Sequence, residues 1–386
     1  MNFLIVGDGP EEFAWAQTLL GHPEHRLAAA CPGFKGLPDV PGGPDFDAAL
    51  AVAGVDAAIV GGGPELRAEA LRRVAGAGLP ALCLHPPGPD ADPYYQVALS
   101  RQETGAVVVP DLPARLHPGV AALKEALDRG ELGTFREIRY EGAAGDQGGD
   151  LLGEVFPRVV DVVRSLLGEV AAVTTTGDPP GDRPTSSLVV QLRGPKARRA
   201  EVRLWSGPPE PSKLTVSGSE GSLVLEHDPS LLGVARLVRR PATGLATVNE
   251  LRVFDPSTAI LDVLDAAAAG QDVRPDLHDG TRAMEIAEAA RRSLRRGKTI
   301  DLHYEEVSEL GNFKSVMTSL GCLILIGALL VLPLALAGPA FGARWTIYIA
   351  YAIPPLLVLF ALLQLLRFAA RGSDAAARRA NEQAGG

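Results

Sequence analysis

Between Ser315 and Ala343 the chain carries no charged residue, and after Arg344 the run from Trp345 to Leu366 is uncharged again until Arg367. A hydrocarbon core about 30 Å thick takes about 20 apolar residues of helix, and both stretches reach that length. The expected spans are residues 316–338 and 345–366. Pro333, Pro354 and Pro355 lie inside them, and a helix in a membrane tolerates proline better than a soluble helix does. Trp345, Tyr348 and Tyr351 stand where an interfacial aromatic belt would lie. The alternative is a buried helical hairpin of a soluble domain, which core helices rarely form at such length without a charge. Lys314 precedes the first span, Arg367, Arg371, Arg378 and Arg379 follow the second, and the loop between them has only Arg344. Lys and Arg favour the cytoplasmic side, so both ends of the hairpin, with the body and the basic tail 367–386, are expected in the cytosol. No ionisable residue falls inside either span, which points to an anchor in the lipid bilayer rather than a transport path.

The chain of 386 residues has room for two ordinary domains ahead of this hairpin. Charged residues make up 22% and hydrophobic ones 46%, a globular balance. A formal net charge of -9 offers no basic footprint, so nucleic acid is excluded as a partner. Cys31, Cys83 and Cys322 are too scattered for a disulfide framework or a Cys-x-x-Cys metal site. Met1 to Val6 lacks a basic leader and its apolar run stops at Gly7, so it reads as a first strand rather than a signal segment.

From Met1 to about Asp111, short apolar runs alternate with helical patterns, as in βαβ units on a parallel sheet. Strands are expected at Phe3–Val6, Leu27–Cys31, Ala57–Val60 and Ala81–Cys83, with helices near Glu11–Leu20 and Glu65–Ala77. Gly7 and Gly9 fall at the first strand-to-helix turn. One glycine permits the tight turn and the other lets a pyrophosphate approach the helix N-terminus. The third glycine of that pattern is replaced by Glu12, beside Glu11, and no acid follows the second strand, where Cys31 is succeeded by Pro32 and Gly33. The turn is therefore either a dinucleotide site with an incomplete motif or a purely structural turn. Further on, Leu188–Leu192, Glu201–Trp205, Lys213–Ser217, Leu223–Glu226 and Leu251–Phe254 are short alternating or β-branched runs separated by turn residues. They predict an open antiparallel sheet, with Val202 and Leu204 on one face and Glu201, Arg203 and Trp205 on the other.

Several stretches resemble the Gfo/Idh/MocA (glucose–fructose oxidoreductase and inositol dehydrogenase) family. They are Asp56–Val60, Arg67–Leu71, Ala77–Pro86, Arg115–Pro118 running to Gly130–Gly133, Asp161–Gly168, Ser217–Leu223, Ala283–Ala289 and Gly297–Leu302. They keep the family's order over about residues 1–305. The resemblance implies a Rossmann-type dinucleotide-binding domain over 1–112 and an α/β substrate and oligomerisation domain with the open sheet over 113–305. A linker over 306–315 then leads to the added hairpin. It also implies hydride transfer between NAD or NADP and a hydroxyl carbon of a sugar, polyol or related small molecule, and homo-oligomers formed through the open sheet. The two membrane helices are a second surface for self-association.

By the same resemblance, a Glu-Lys-Pro motif of the family corresponds to Leu84-His85-Pro86, so His85 and Pro86 fall at the cofactor and substrate position. The family's Asp and His before the next helix correspond to Glu154 and Arg158. Glu154 keeps a carboxylate. Arg158 stays protonated and cannot act as a base, but it can pair with an anionic ligand or with Glu154. The expected site is thus His85, Glu154 and Arg158 for chemistry, with Gly7, Gly9 and Pro86 for the cofactor. The substitutions leave two expectations: an NAD(P)-dependent oxidoreductase of altered mechanism, or a non-catalytic membrane-tethered scaffold or ligand sensor that keeps the fold.

Overall fold

The computed structural model describes residues 1–302 apart from 35–39, 44, 53, 146–149 and 179–184, together with the isolated positions 337, 348 and 351. The linker, the two expected spans and the basic tail lie outside the described residues, apart from those isolated positions. Among the described residues, no helix is long and apolar enough to cross a membrane.

The first half alternates strand and helix as its apolar pattern requires. β1 (Asn2–Val6), α1 (Pro10–Gly21), β2 (Arg26–Cys31), α2 (Phe46–Leu50) and β3 (Ala57–Val60) are followed by α3 (Pro64–Gly76), β4 (Ala81–Cys83), α4 (Asp92–Thr104) and β5 (Val108–Pro110). The five strands are parallel in the order β2-β1-β3-β4-β5. β3 and all of β1 after Asn2 are buried, as expected of strands covered on both faces. Pro10, Pro64 and Pro93 open α1, α3 and α4, where a missing N–H costs nothing. The strand order reverses between β1 and β3, and a crevice belongs beyond the carboxyl ends of the strands at such a point.

After α5 (Pro118–Asp128) come β6 (Phe135–Ala143), α6 (Phe156–Leu167), β7 (Ala172–Asp178), β8 (Ser187–Arg193), β9 (Arg199–Trp205), β10 (Ser212–Gly218) and β11 (Gly221–His227). β12 (Arg236–Pro241), β13 (Thr247–Glu250), α7 (Pro256–Ala268), α8 (Leu277–Arg296) and β14 (Ile300–Asp301) complete the order. The second sheet has nine strands, β13-β12-β11-β10-β6-β9-β8-β7-β14. Its face alternates as expected, with Ala200, Val202 and Leu204 buried and Arg199 and Arg203 exposed. The other face is laced with ion pairs such as Arg203–Glu201, Arg139–Glu137 and Lys213–Glu226.

Two expectations are corrected. The sheet is mixed rather than antiparallel, because β6 and β9 run parallel. α6 and the β7–β8 hairpin intervene between them, and such a crossover returns the chain in its original direction. The strand expected at Leu251–Phe254 lies at Thr247–Glu250 instead. Leu251 and Phe254 are apolar because they pack inward from irregular chain, Leu251 against the sheet core and Phe254 edge-on to His117.

The helices that close the chain reach back to the first sheet. Ile260, Leu261 and Leu264 of α7 pack with Phe3 and Ile5, while Leu277 and Met284 of α8 pack with the other face. The first sheet's cover thus extends well past residue 112. A buried ion network ties the same elements together. Arg115, just after β5, donates to Asp161 of α6 (2.9 Å) and to Asp279 of α8 (2.7 Å), and Arg164 of α6 also pairs with Asp279.

Candidate functional site at the carboxyl ends of the first sheet

A cleft of about 1170 Å³ opens beyond the carboxyl ends of the first sheet and runs to the buried-face end of the second. Glu11, Gly62, Arg67 and Asp111 line one part of it, and Tyr140, His117 and His227 another.

The glycine turn follows β1. Gly7 has φ +114°, and a Cβ on it would come within 2.5 Å of the Gly62 backbone nitrogen, so only glycine serves there. Gly9 caps α1 in an extended conformation. At the third position of the pattern, Glu12 is 3% exposed. Its Oε1 accepts the Gly62 N–H at 2.5 Å. Side chains on Gly9 or Gly61 would collide with that carboxylate, so glycines on the β3–α3 loop make the room that Glu12 needs. Glu12 lies beneath the turn and does not line the cleft, whereas Glu11 does.

Arg158 reaches across to this turn. Its Nη2 donates to both oxygens of Glu11 (2.9 and 3.2 Å), and its Nε donates to the His85 carbonyl at 2.6 Å. The sequence offered Glu154 as its partner; among the described residues Arg158 pairs with Glu11 instead. Glu154 lines the same cleft with its side chain exposed.

His85 is placed differently from the expectation. Its ring is fully buried and stacked on Tyr94 of α4, with centroids 5.9 Å apart and planes at 13°. Nδ1 lies 3.0 Å from the Tyr94 hydroxyl, Nε2 has no partner among the described residues, and the ring does not line the cleft. Burial first, then Arg158 and Arg67, push its pKa well below the usual range, so the imidazole is neutral. What His85 offers the site is its backbone carbonyl. Pro86 does line the cleft. Arg67 fixes the surrounding loops by donating to the Gly62 carbonyl at 2.8 Å and the Pro86 carbonyl at 2.5 Å.

Asp111 was missed at the sequence level. It is the first residue past β5, and that place at a carboxyl end was its only signal. Its Oδ1 is buried and, among the described residues, has no hydrogen-bond partner. Burial, reinforced by Glu11 and opposed by Arg158, Arg67 and a hydrogen bond with Trp15, raises its pKa to about 6. Such a carboxyl changes protonation close to neutrality, which suits proton transfer.

A nicotinamide dinucleotide is tested against this geometry by the turn itself. Gly7 and Gly9 lie behind the cleft lining, packed on Gly62 and Glu12, whereas Glu11 of the first turn of α1 and Gly62 line it, so a diphosphate has room at that turn. Glu11 is neutralised by Arg158, while among the described residues Glu12 is met by a backbone N–H alone. The site fits, with one opposing charge beneath it.

Comparisons with known proteins agree with the architecture. Inositol 2-dehydrogenase of Rhizobium meliloti is 22% identical over 330 residues, covering 78% of this chain and 99% of that protein. An oxidoreductase from Agrobacterium radiobacter, solved with NAD+, L-tartaric acid and magnesium, aligns at TM-score 0.66 and 16% identity over 78% of this chain and 98% of its own. The aldose-aldose oxidoreductase of Caulobacter crescentus, solved with glycerol, aligns at TM-score 0.68 and 20% identity over 78% and 99%. The chain has the fold of these oxidoreductases. No family model matches it.

Proposed function

We propose that the protein is a membrane-anchored oxidoreductase of the Gfo/Idh/MocA type, using NAD or NADP on a hydroxyl-bearing carbon of a sugar, polyol or related small molecule. The observation that carries this reading is the cleft at the strand-order reversal, lined by Glu11 of the first turn of α1, Gly62, Pro86 and Asp111. Gly7, Gly9 and Pro86 would hold the dinucleotide, which when bound supplies a hydride acceptor or donor.

The chain's own groups supply the rest. Asp111, ionised above a pH of about 6, takes the proton of the substrate hydroxyl on its carboxylate. Arg158 cannot take a proton. It neutralises Glu11 at the first turn of α1 and fixes the β4 end through the His85 carbonyl. Glu154 is placed to hydrogen-bond a substrate hydroxyl. Arg67 keeps the two loops that frame the cofactor position in register. His85 acts as a positioning residue here, through its backbone.

Titrating the full-length protein with NADH and NADPH tests the reading. Saturable binding of either is expected, and no binding at millimolar concentration overturns it. Two placements favour a second reading, a non-catalytic ligand sensor or scaffold. They are the Glu12 carboxylate under the turn and the enclosed His85 ring. Nicotinamide turnover that Asp111→Asn abolishes would remove that alternative.

Residues 316–338 and 345–366 serve in this reading as a bilayer hairpin, with the body and the tail on the cytosolic side. Resistance to alkaline carbonate extraction from membranes is expected, and release into the supernatant would refute it. Self-association, through the open sheet face or the hairpin, would follow the resemblance to the family.

A further inference from the structure

The part of the cleft beside the second sheet carries two histidines that the proposed chemistry does not use. His117 caps α5, and its Nδ1 accepts the Gly119 N–H at 3.0 Å. An accepting Nδ1 leaves the proton of a neutral imidazole on Nε2. His227 ends β11, and its Nδ1 lies 2.9 Å from the Asp228 carbonyl oxygen. A carbonyl only accepts, so here the proton is on Nδ1 and Nε2 is a lone pair. The two rings lie 6.1 Å apart, centroid to centroid, and both residues line the cleft. Among the described residues neither Nε2 makes a hydrogen bond.

Both rings are neutral near pH 7, so these tautomers persist. Burial, with His227 adding to it, takes His117 down to about 4. Burial lowers His227 too, against the opposing pull of the Asp228 carbonyl and carboxylate. The pair therefore offers one donor and one acceptor side by side. A hydroxyl satisfies both, because it accepts from His117 and donates to His227. A carboxylate has no proton for the His227 lone pair, and an ammonium has no acceptor for the His117 N–H. Tyr140 and Leu225 line the cleft beside them and give a carbon skeleton an apolar contact. The cleft, at about 1170 Å³, exceeds the roughly 300–1,000 Å³ of a pocket for one small ligand, which leaves room beside a dinucleotide.

We propose that His117 and His227 form a subsite that selects a hydroxylated ligand by giving one hydroxyl a donor and an acceptor together. It rests on the reading above that this cleft takes a small molecule, and it names the residues that choose it.

The test uses the full-length protein in detergent, labelled with 15N-histidine, with myo-inositol, D-glucose and glycerol as neutral probes and succinate as an anion without a hydroxyl. Long-range 15N spectra are expected to show His117 protonated on Nε2 and His227 on Nδ1. At least one neutral probe should bind by calorimetry and move the Nε2 resonances of both. His117→Asn, which keeps an acceptor for the α5 cap, and His227→Leu should each weaken that binding tenfold or more, and succinate should bind at least tenfold more weakly. Matching tautomers in the two rings would overturn the proposal, and that measurement stands even where a variant fails to fold. Absence of binding by every neutral probe, unchanged affinity in folded variants, or succinate binding as tightly would overturn it too. NADH is titrated separately. Failure of NADH alone sinks the oxidoreductase reading and leaves this subsite standing, while failure of the neutral probes alone removes only the subsite.

Discussion

Glu12→Gln separates charge from shape at the glycine turn. Gln keeps the side-chain length and can still accept the Gly62 N–H that Glu12 holds at 2.5 Å, so the turn should keep its geometry. The only loss is a negative charge, 3% exposed, beneath the position a diphosphate would take. Two unit charges about 5 Å apart at an effective dielectric near 20 repel by about 3 kcal/mol. Relaxation and residual solvent reduce the realised effect to about 1.4–2.8 kcal/mol, a ten- to hundredfold gain in affinity. The assay is equilibrium titration of full-length wild-type and variant protein with NADH, ADP-ribose and adenosine. NADH and ADP-ribose should tighten together, adenosine should not change, and the gain should shrink little in salt because the charge is buried. Glu12→Ala should also tighten binding, but it leaves the Gly62 N–H unpaired and should cost about 1–3 kcal/mol of stability in the free protein. An unchanged NADH midpoint in Glu12→Gln, or an equal gain for adenosine, refutes the claim that Glu12 opposes the diphosphate.

The remaining predictions concern buried charge. Asp111, with its pKa raised to about 6 by burial, contributes stability below pH 4 that is lost as pH rises to about 6. Asp111→Asn, which cannot ionise, should therefore melt higher than wild type above pH 6 by about 1–3 kcal/mol, with the gap closing toward pH 4 in thermal unfolding scans. Burial works against the charge of Asp279, but Arg115, Arg164 and Arg274 outweigh it and hold the carboxyl at about 2. The stability it contributes is present above pH 4 and is lost as pH falls toward 2. Asp279→Ala should cost about 3–5 kcal/mol in denaturant unfolding at pH 7, because it strands buried arginines, and a cost below 1 kcal/mol would refute that account.

How much of this could be read from the sequence depended on how local each cause was. β1 and β3 were legible because Phe3–Val6 and Ala57–Val60 are uninterrupted apolar runs, and β9 because Ala200, Val202 and Leu204 alternate with polar neighbours. The Leu251–Phe254 run misled because inward packing of irregular chain leaves the same apolar mark as a strand. His85 was placed at the right loop, yet the direction of its ring is decided by Tyr94 on another helix. Arg158 was seen as an anion partner, but the choice of Glu11 over Glu154 is made by the spacing between α6 and the first turn of α1. Asp111 carries no motif, and only its position after β5, together with the neighbours that strand its Oδ1, marks it.

The replaced residues are fitted to one another. Glu12 in place of a glycine would bury a carboxylate without a partner, at a cost of several kcal/mol. It is accommodated because Gly61 and Gly62 stand on the next loop, one removing a Cβ clash and the other donating its N–H. Glu11 would add a second charge at the same helix N-terminus, and Arg158 answers it while also holding the His85 carbonyl. At the turn the groups interlock across β1, β3, β4 and α6. The site is therefore a built arrangement with its own charge pattern. The measurement that separates an altered enzyme from a sensor is whether that pattern still admits a dinucleotide when Glu12 keeps its charge.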